Sequence, residues 1–254
     1  TLKTGTRLYS GDRVVTADEQ SLRMQFADKS ELQVLPNSVV VLDKLSHHEH
    51  TGMVDTRIRL NSGSVNTRVE KLKPDSRYEI KTPAAVTAVR GTAYRLSSTS
   101  QISRTMVTEG NVGVAAGDTE KIVPDGYGIV AEKDKPLPEP VKLLPPPVLG
   151  ENQSQDKTML KIAWPKLEDA KYYRYQLASD ENYNQLIVYR STEDTIIEIN
   201  DLKPGRYYLL IRGVDQYQLE GLDAVSVFEI QQAPAEKDNS WVVPLSVGVL
   251  ILIL

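Results

Sequence analysis

From Ser21 to Phe26 the chain reads SLRMQF, with Leu22, Met24 and Phe26 on one side of a two-residue alternation and Ser21, Arg23 and Gln25 on the other. Glu31–Leu35 (ELQVL) repeats the rhythm with Leu32 and Val34 on the apolar side, after a turn-like ADKS. A period of two belongs to a strand with one face against a core and the other toward solvent. Arg57–Leu60 and Ser64–Val69 keep the same period, with NSG between them as a turn. RYEIKT, AYRLSS, TMVTEG and NVGVAAG continue it, each bounded by Gly, Asp, Ser or Pro. Short strands separated by turn signals predict an all-β domain over residues 1–132, a sandwich, a barrel or a solenoid-like stack of hairpins. No amphipathic helical run longer than two turns interrupts it.

Residues 133–158 break the rhythm. KDKPLPEPVKLLPPPVLG carries six prolines, which remove ladder donors and favour an extended, semi-rigid spacer that holds two modules apart. Residues 159–232 resume the alternation in MLKIAWP, YYRYQLAS, QLIVYRS, TIIEIN, RYYLLIRGVD and AVSVFEI, and eight of the chain's twelve tyrosines lie here. Large amphipathic side chains on strands suit a small two-sheet core. Trp164 early and DLKPGRYYLLIRGVD late make this segment resemble a fibronectin type III-like sandwich.

Residues 233–254 form a polar spacer and an apolar segment, AEKDNS and then WVVPLSVGVLILIL. Trp241, Val242, Pro244, Leu245, Leu250 and Leu254 mark the apolar run. As a helix it would reach ~21 Å against a hydrocarbon core of ~30 Å. It reads either as a buried terminal element or as part of a membrane anchor. The tryptophan at its polar boundary favours the anchor, and the chain then reads as part of a longer protein. No secretory leader is visible after Thr1.

With 40% hydrophobic and 25% charged residues, the composition is that of a folded globular protein. Thirty basic residues are interspersed with 34 acidic ones for a net charge of -4, so nucleic acid is not an expected partner. The absence of cysteine removes disulfides, thiolate metal sites and cysteine nucleophiles together.

The only histidines, His47, His48 and His50, sit in SHHEH. Imidazoles beside a carboxylate could hold zinc or nickel. The alternative, a polar loop between two strands, fits better because no second ligand cluster accompanies them. No metal and no cofactor are expected. Ser-His-Asp and Cys-His systems lack their parts. Asp12 with Asp18 or Glu31 could pair as catalytic carboxylates, but turn and surface roles suit them better. The phosphate-cradling GxGxxG and GxxxxGK[ST] motifs are missing as well. These residues predict a binding protein and not an enzyme.

Thr82–Leu96 reads TPAAVTAVRGTAYRL. Thr82 and Pro83 end a strand, Ala84–Val89 suits a tightly packed inner turn, and Gly91 supplies a positive φ or close backbone approach. Arg90 is the long cation of an apolar stretch and is expected to pair with a carboxylate or backbone carbonyls. Thr82, Pro83, Arg90, Gly91 and Thr92, followed by TMVTEGNVGV, resemble the core of a FecR-type periplasmic domain. The upstream LYSGDRVVTADEQSLRMQFADKSELQVL resembles that family's L-x-x-GD-x-V-x-T and L-x-F-x-DGS-x-L segments. Lys29 stands where the family's turn has glycine, which predicts a different turn type on the same topology. The resemblance covers residues 5–130.

The resemblance implies a non-catalytic, all-β module in the periplasm of a Gram-negative bacterium, associated with the membrane. The Pro-rich spacer and second sandwich resemble the group in which a LysM module precedes the FecR-type domain. A scaffold or sensor-accessory role through protein–protein contact follows. The implied partners are an envelope or membrane protein such as a CHASE-type sensor, the membrane itself, and peptidoglycan through an unseen N-terminal module. Two alternatives stay open, a FecR-like transmembrane anti-sigma regulator of transporter signalling and a carbohydrate-binding envelope module using the tyrosines.

Overall fold

The computed structural model describes residues 2–48, 50–89, 91–152 and 158–230, and every regular element among them is a strand. Thirteen strands form one curled sheet that folds over so that two layers enclose a common core. The first layer runs β1 (Arg13–Val15), β4 (Val39–His48), β5 (Met53–Arg68), β6 (Arg77–Lys81), β7 (Val86–Val89), β10 (Asn111–Ala116), β11 (Thr119–Pro124). The second runs β2 (Leu22–Gln25), β3 (Glu31–Val34), β5 again, β8 (Ala93–Ser98), β9 (Ile102–Glu109), β12 (Tyr127–Glu132), β13 (Val141–Lys142). Met24, Leu32 and Val34 meet Val40, Ile58 and Ile80 between the layers, as period-two alternation requires.

A second core is built by two smaller sheets. β14 (Leu160–Ala163) pairs with β17 (Ile196–Ile199). Opposite them lie β16 (Leu186–Thr192), β15 (Tyr172–Ala178), β18 (Gly205–Val214) and β19 (Ala224–Ile230), in that order. These six strands correspond to the six alternating segments of residues 159–232. Leu160, Ile162, Leu177, Leu209 and Ile211 fill the space between the sheets. Trp164 meets Tyr173 edge-on at 5.1 Å between ring centroids, a favoured aromatic geometry. The Tyr207 hydroxyl donates to the Lys203 carbonyl at 2.6 Å and pins the start of β18.

The proline-rich segment differs from its expectation. Its middle forms β13 on the edge of β12, and the Leu143 amide donates to the Gly126 carbonyl at 2.8 Å. Leu143 then joins Met106 and Leu219 in a small cluster between the two bodies. A Cβ on Gly128 would stand 2.9 Å from a Leu143 methyl and 3.1 Å from Leu219, so glycine there makes room for the cluster. The segment straps the bodies together, because two leucines at its end gain more from burial than the chain loses by being held. Lys29 adopts a left-handed φ of 69°, the region that favours glycine, while the Asp28 carboxylate accepts from the Ser30 amide and hydroxyl at 3.1 and 2.7 Å. No helix among the described residues is long and apolar enough to cross a membrane. The segment from Trp241 to Leu254 lies outside the described residues.

The NSG stretch is not a turn. It lies inside β5, whose first part pairs with β4 up to Ser62 and whose last part pairs with β8 from Gly63 onward. Gly63 is the corner where the strand passes from one layer to the other, at φ 93°. The Ser38 hydroxyl mends the interrupted ladder there, accepting from the Ser64 amide at 2.9 Å and donating to the Ser64 carbonyl at 3.1 Å. A Cβ at Gly63 would fall 2.4 Å from the Ser38 Cα, which is backbone and cannot swing away. Gly63→Ala therefore combines backbone strain with overpacking and should cost about 3 kcal/mol. A lowered urea midpoint at unchanged slope would show it, and a wild-type midpoint would refute it.

Candidate functional site

The sequence-predicted residues fall in three separate places. Thr82 caps the turn between β6 and β7, its hydroxyl donating to the Ala85 carbonyl at 2.9 Å and accepting from the Ala85 amide at 3.0 Å. Pro83 and Ala84 make that turn, and Val86–Val89, expected within it, is strand β7 instead. Gly91, at φ 111°, and Thr92 carry the chain from the first layer to the second. Thr92 exchanges backbone hydrogen bonds with Val69 at 3.1 and 2.8 Å. Arg90 lies outside the described residues. Gly91 and Thr92 thus mark a crossover between layers.

His47 and His48, placed by the sequence in a loop, end strand β4, and consecutive strand residues point to opposite faces. His50 follows in the turn. No group of three metal-ligating side chains occurs among the described residues. Asp12 accepts from the Tyr9 amide at 2.7 Å, Asp18 from Asn37 at 3.3 Å, and Glu31 pairs with Arg23 at 2.5 Å. These carboxylates are not brought together.

What the fold does assemble is a polar seam. The outer face of the second layer, expected to meet solvent, is covered by the outer face of β15 and β18. Gln33 is consequently only 6% exposed, and its amide donates to the Tyr183 carbonyl at 2.8 Å. Arg23 reaches the same loop, through Nε to Asn184 Oδ1 at 3.0 Å and Nη2 to the Asn182 carbonyl at 2.5 Å. The loop is prepared for this. The Asp180 carboxylate accepts from the amides of Asn182, Asn184 and Gln185, and Tyr183 sits at φ 54°. A side chain that fills three orphan donors in a tight loop fixes its shape before docking.

The centre of the seam is charged and buried. Arg95 of β8 donates to Asp223 at 2.6 Å and to the Gly221 carbonyl at 2.5 Å. Arg212 of β18, 1% exposed, meets Glu220 at 2.6 Å and Asp223 at 2.8 Å. Arg174 of β15 pairs with Glu220 at 2.9 Å, with its guanidinium carbon 5.2 Å from the centre of the Tyr189 ring. Burial opposes the Glu220 charge, but Arg212, Arg174 and Arg95 outweigh it and hold the carboxyl below its usual range. Burial, reinforced by Arg212, lowers Arg95. Burial also pushes the Tyr183 phenol up to about 12, so it stays a donor. At the far end Arg104 donates to the Tyr217 carbonyl at 2.8 Å.

Sequence reasoning did not bring these residues together. Outward-facing polar residues on a strand look the same whether they meet water or another protein layer. The available signal was Arg212, an arginine inside the apolar run YYLLIRGV, where a lone cation implies a buried partner.

Residues 12–113 match the family described as FecR protein. No curated protein matches the chain. Among solved structures, a candidate anti-sigma factor from Parabacteroides distasonis aligns at 11% identity and a TM-score of 0.43, over 52% of this chain and 58% of its own. The chain therefore spans little more than half of that protein. FN3tt aligns at 18% identity and 0.31, over 37% of this chain and 100% of its own. A beta-1,2-glucanase from Parabacteroides distasonis aligns at 12% identity and 0.31, over 89% of this chain and 40% of its own. None of these scores reaches 0.5, so the family match alone bears on function.

Removing Arg95 would take the donor from the Gly221 carbonyl and leave the half-buried Asp223 with Arg212 alone, and breaking a pair with one fully buried partner costs about 3 kcal/mol. Arg95→Ala should open the seam while both cores stay folded. Small-angle scattering should show a larger radius of gyration with β14–β19 still protected from amide exchange, and an unchanged radius would count against the seam. Glu220 supplies a pH signature. Its folded value lies below the ordinary 4.5, so its contribution is complete above that value and is lost as pH falls through the depressed one. Urea midpoints should drop across this acid window, and Glu220→Gln should remove part of the drop. Parallel curves for the two proteins would contradict the assignment.

Proposed function

The chain carries a FecR-family domain over residues 12–113, and from that premise we propose that it is a non-catalytic signalling module of the bacterial cell envelope. The family match is the observation that carries this reading. It works by protein–protein contact in the periplasm of a Gram-negative bacterium, held near the membrane through residues 241–254. Its partner is a membrane protein, a transporter or a sensor of the CHASE type. Regulation, as in a FecR-like anti-sigma regulator, is favoured over passive scaffolding by the docked seam. Two bodies joined through polar and charged groups have a docked and an undocked arrangement for a signal to choose between, which a fixed spacer lacks.

The second body is read as a fibronectin type III-like sandwich. Tyr207, bonded back to the Lys203 carbonyl at the start of β18, is the corner tyrosine such sandwiches use. Residues 1–132, 133–158 and 159–232 then act as receiver, strap and cover.

A scaffold reading has one observation in its favour. The outermost strands β11 and β19 expose Ile122, Val225 and Val227, and open edges can accept a partner's strand. Deleting the gene separates the two. A regulator changes the transcription of a narrow set of envelope genes, whereas a scaffold leaves transcripts alone and loses only the co-isolation of its membrane partner. Unchanged transcripts together with unchanged membrane complexes would overturn the proposal.

A further inference from the structure

The seam contains a cleft of about 210 Å³ between the second layer and β15–β18, lined by Arg23, Arg95, Gln176, Tyr183, Arg212 and Asp223 among others. Arg95 and Gln176 are 5% and 1% exposed. Arg95 Nε, Gln176 Nε2 and the Tyr183 hydroxyl are buried there without a hydrogen-bond partner. All three are donors. The carboxylates of the cleft are already engaged, Glu31 by Arg23 and Asp223 by Arg95 and Arg212. Arg95, Arg174 and Arg212 face only Glu220 and Asp223, which leaves one positive charge in excess at the centre of the seam.

We propose that this cleft binds a small oxyanion, a carboxylate or a phosphate group, held jointly by the two bodies. Buried donors without partners are costly, and an anion supplies several acceptor lone pairs together with the compensating charge. A neutral sugar would bring hydroxyl donors of its own to a site with few free acceptors. The volume suits an inorganic anion or a short dicarboxylate. The donors come from different bodies, Arg95 from β8, Gln176 from β15 and Tyr183 from the loop that follows it. An occupant therefore favours the docked arrangement by mass action. This inference does not depend on the signalling reading, since binding is measured on the purified chain.

The test is calorimetric titration of the whole chain, at constant ionic strength, with inorganic phosphate, malonate and glucose. Saturable one-site binding of phosphate or malonate is expected, with none for glucose, and whichever anion binds identifies the oxyanion class. Hydrogen bonds to a charged group contribute about 1.5 kcal/mol or more, so Gln176→Leu and Tyr183→Phe should each weaken binding at least tenfold. Each removes a donor that has no partner, so the fold is retained, and unliganded melting temperatures check this. Failure of both anions to bind, glucose binding in their place, or unchanged anion affinity in both variants would overturn the proposal.

Discussion

Strand β5 belongs to two layers at once, and the rest of the first body is arranged by that fact. In an ordinary strand a one-residue slip moves every side chain to the opposite face. Here a slip against β4 would also displace the pairing with β3 and β8, so each layer holds the other in register. Gly63 and Ser38 allow the strand to turn without leaving Ser64 unpaired. The same register decides which residues of β8 look inward. Tyr94 and Leu96 enter the core, and Arg95 must emerge on the opposite side, where the second body covers it.

That covering layer is chemically unlike either core. The cores are sealed by Val, Leu and Ile, whereas the seam is built from guanidinium groups, carboxylates and loop carbonyls. Desolvated ion pairs are poor sources of net stability compared with apolar packing, but they are intolerant of misalignment. The small apolar cluster of Met106, Leu143 and Leu219 gives adhesion, and the charges dictate how the surfaces meet.

Much of the architecture was legible in the sequence. Leu22, Met24, Leu32 and Val34 announced their strands by alternation, and TPAAVTAVRGT announced the FecR match of residues 12–113. The remaining features were illegible for separate physical reasons. NSG has turn composition, yet a glycine at a strand corner needs the same positive φ as a glycine in a turn, so composition cannot separate them. At Lys29 the left-handed conformation that favours glycine is adopted by a lysine, with the Asp28 carboxylate holding the turn from outside. The seam was illegible for a different reason. Arg23, Gln33 and Arg95 occupy positions that alternation assigns to solvent, and alternation says nothing about whether that solvent is later replaced by another sheet. Residues such as Arg90 and Trp241 lie outside the described structure.

The strap has a further consequence. Because β13 lies along the edge of β12, the tether to the second body begins at the rim of the seam and not at the far end of a free linker. A short tether raises the effective concentration of one surface toward the other to about the millimolar range. Contacts too weak to join two separate proteins are then enough to keep these surfaces together. Local concentration, set by where the chain is pinned, lets a polar and charged surface do the work of an apolar one.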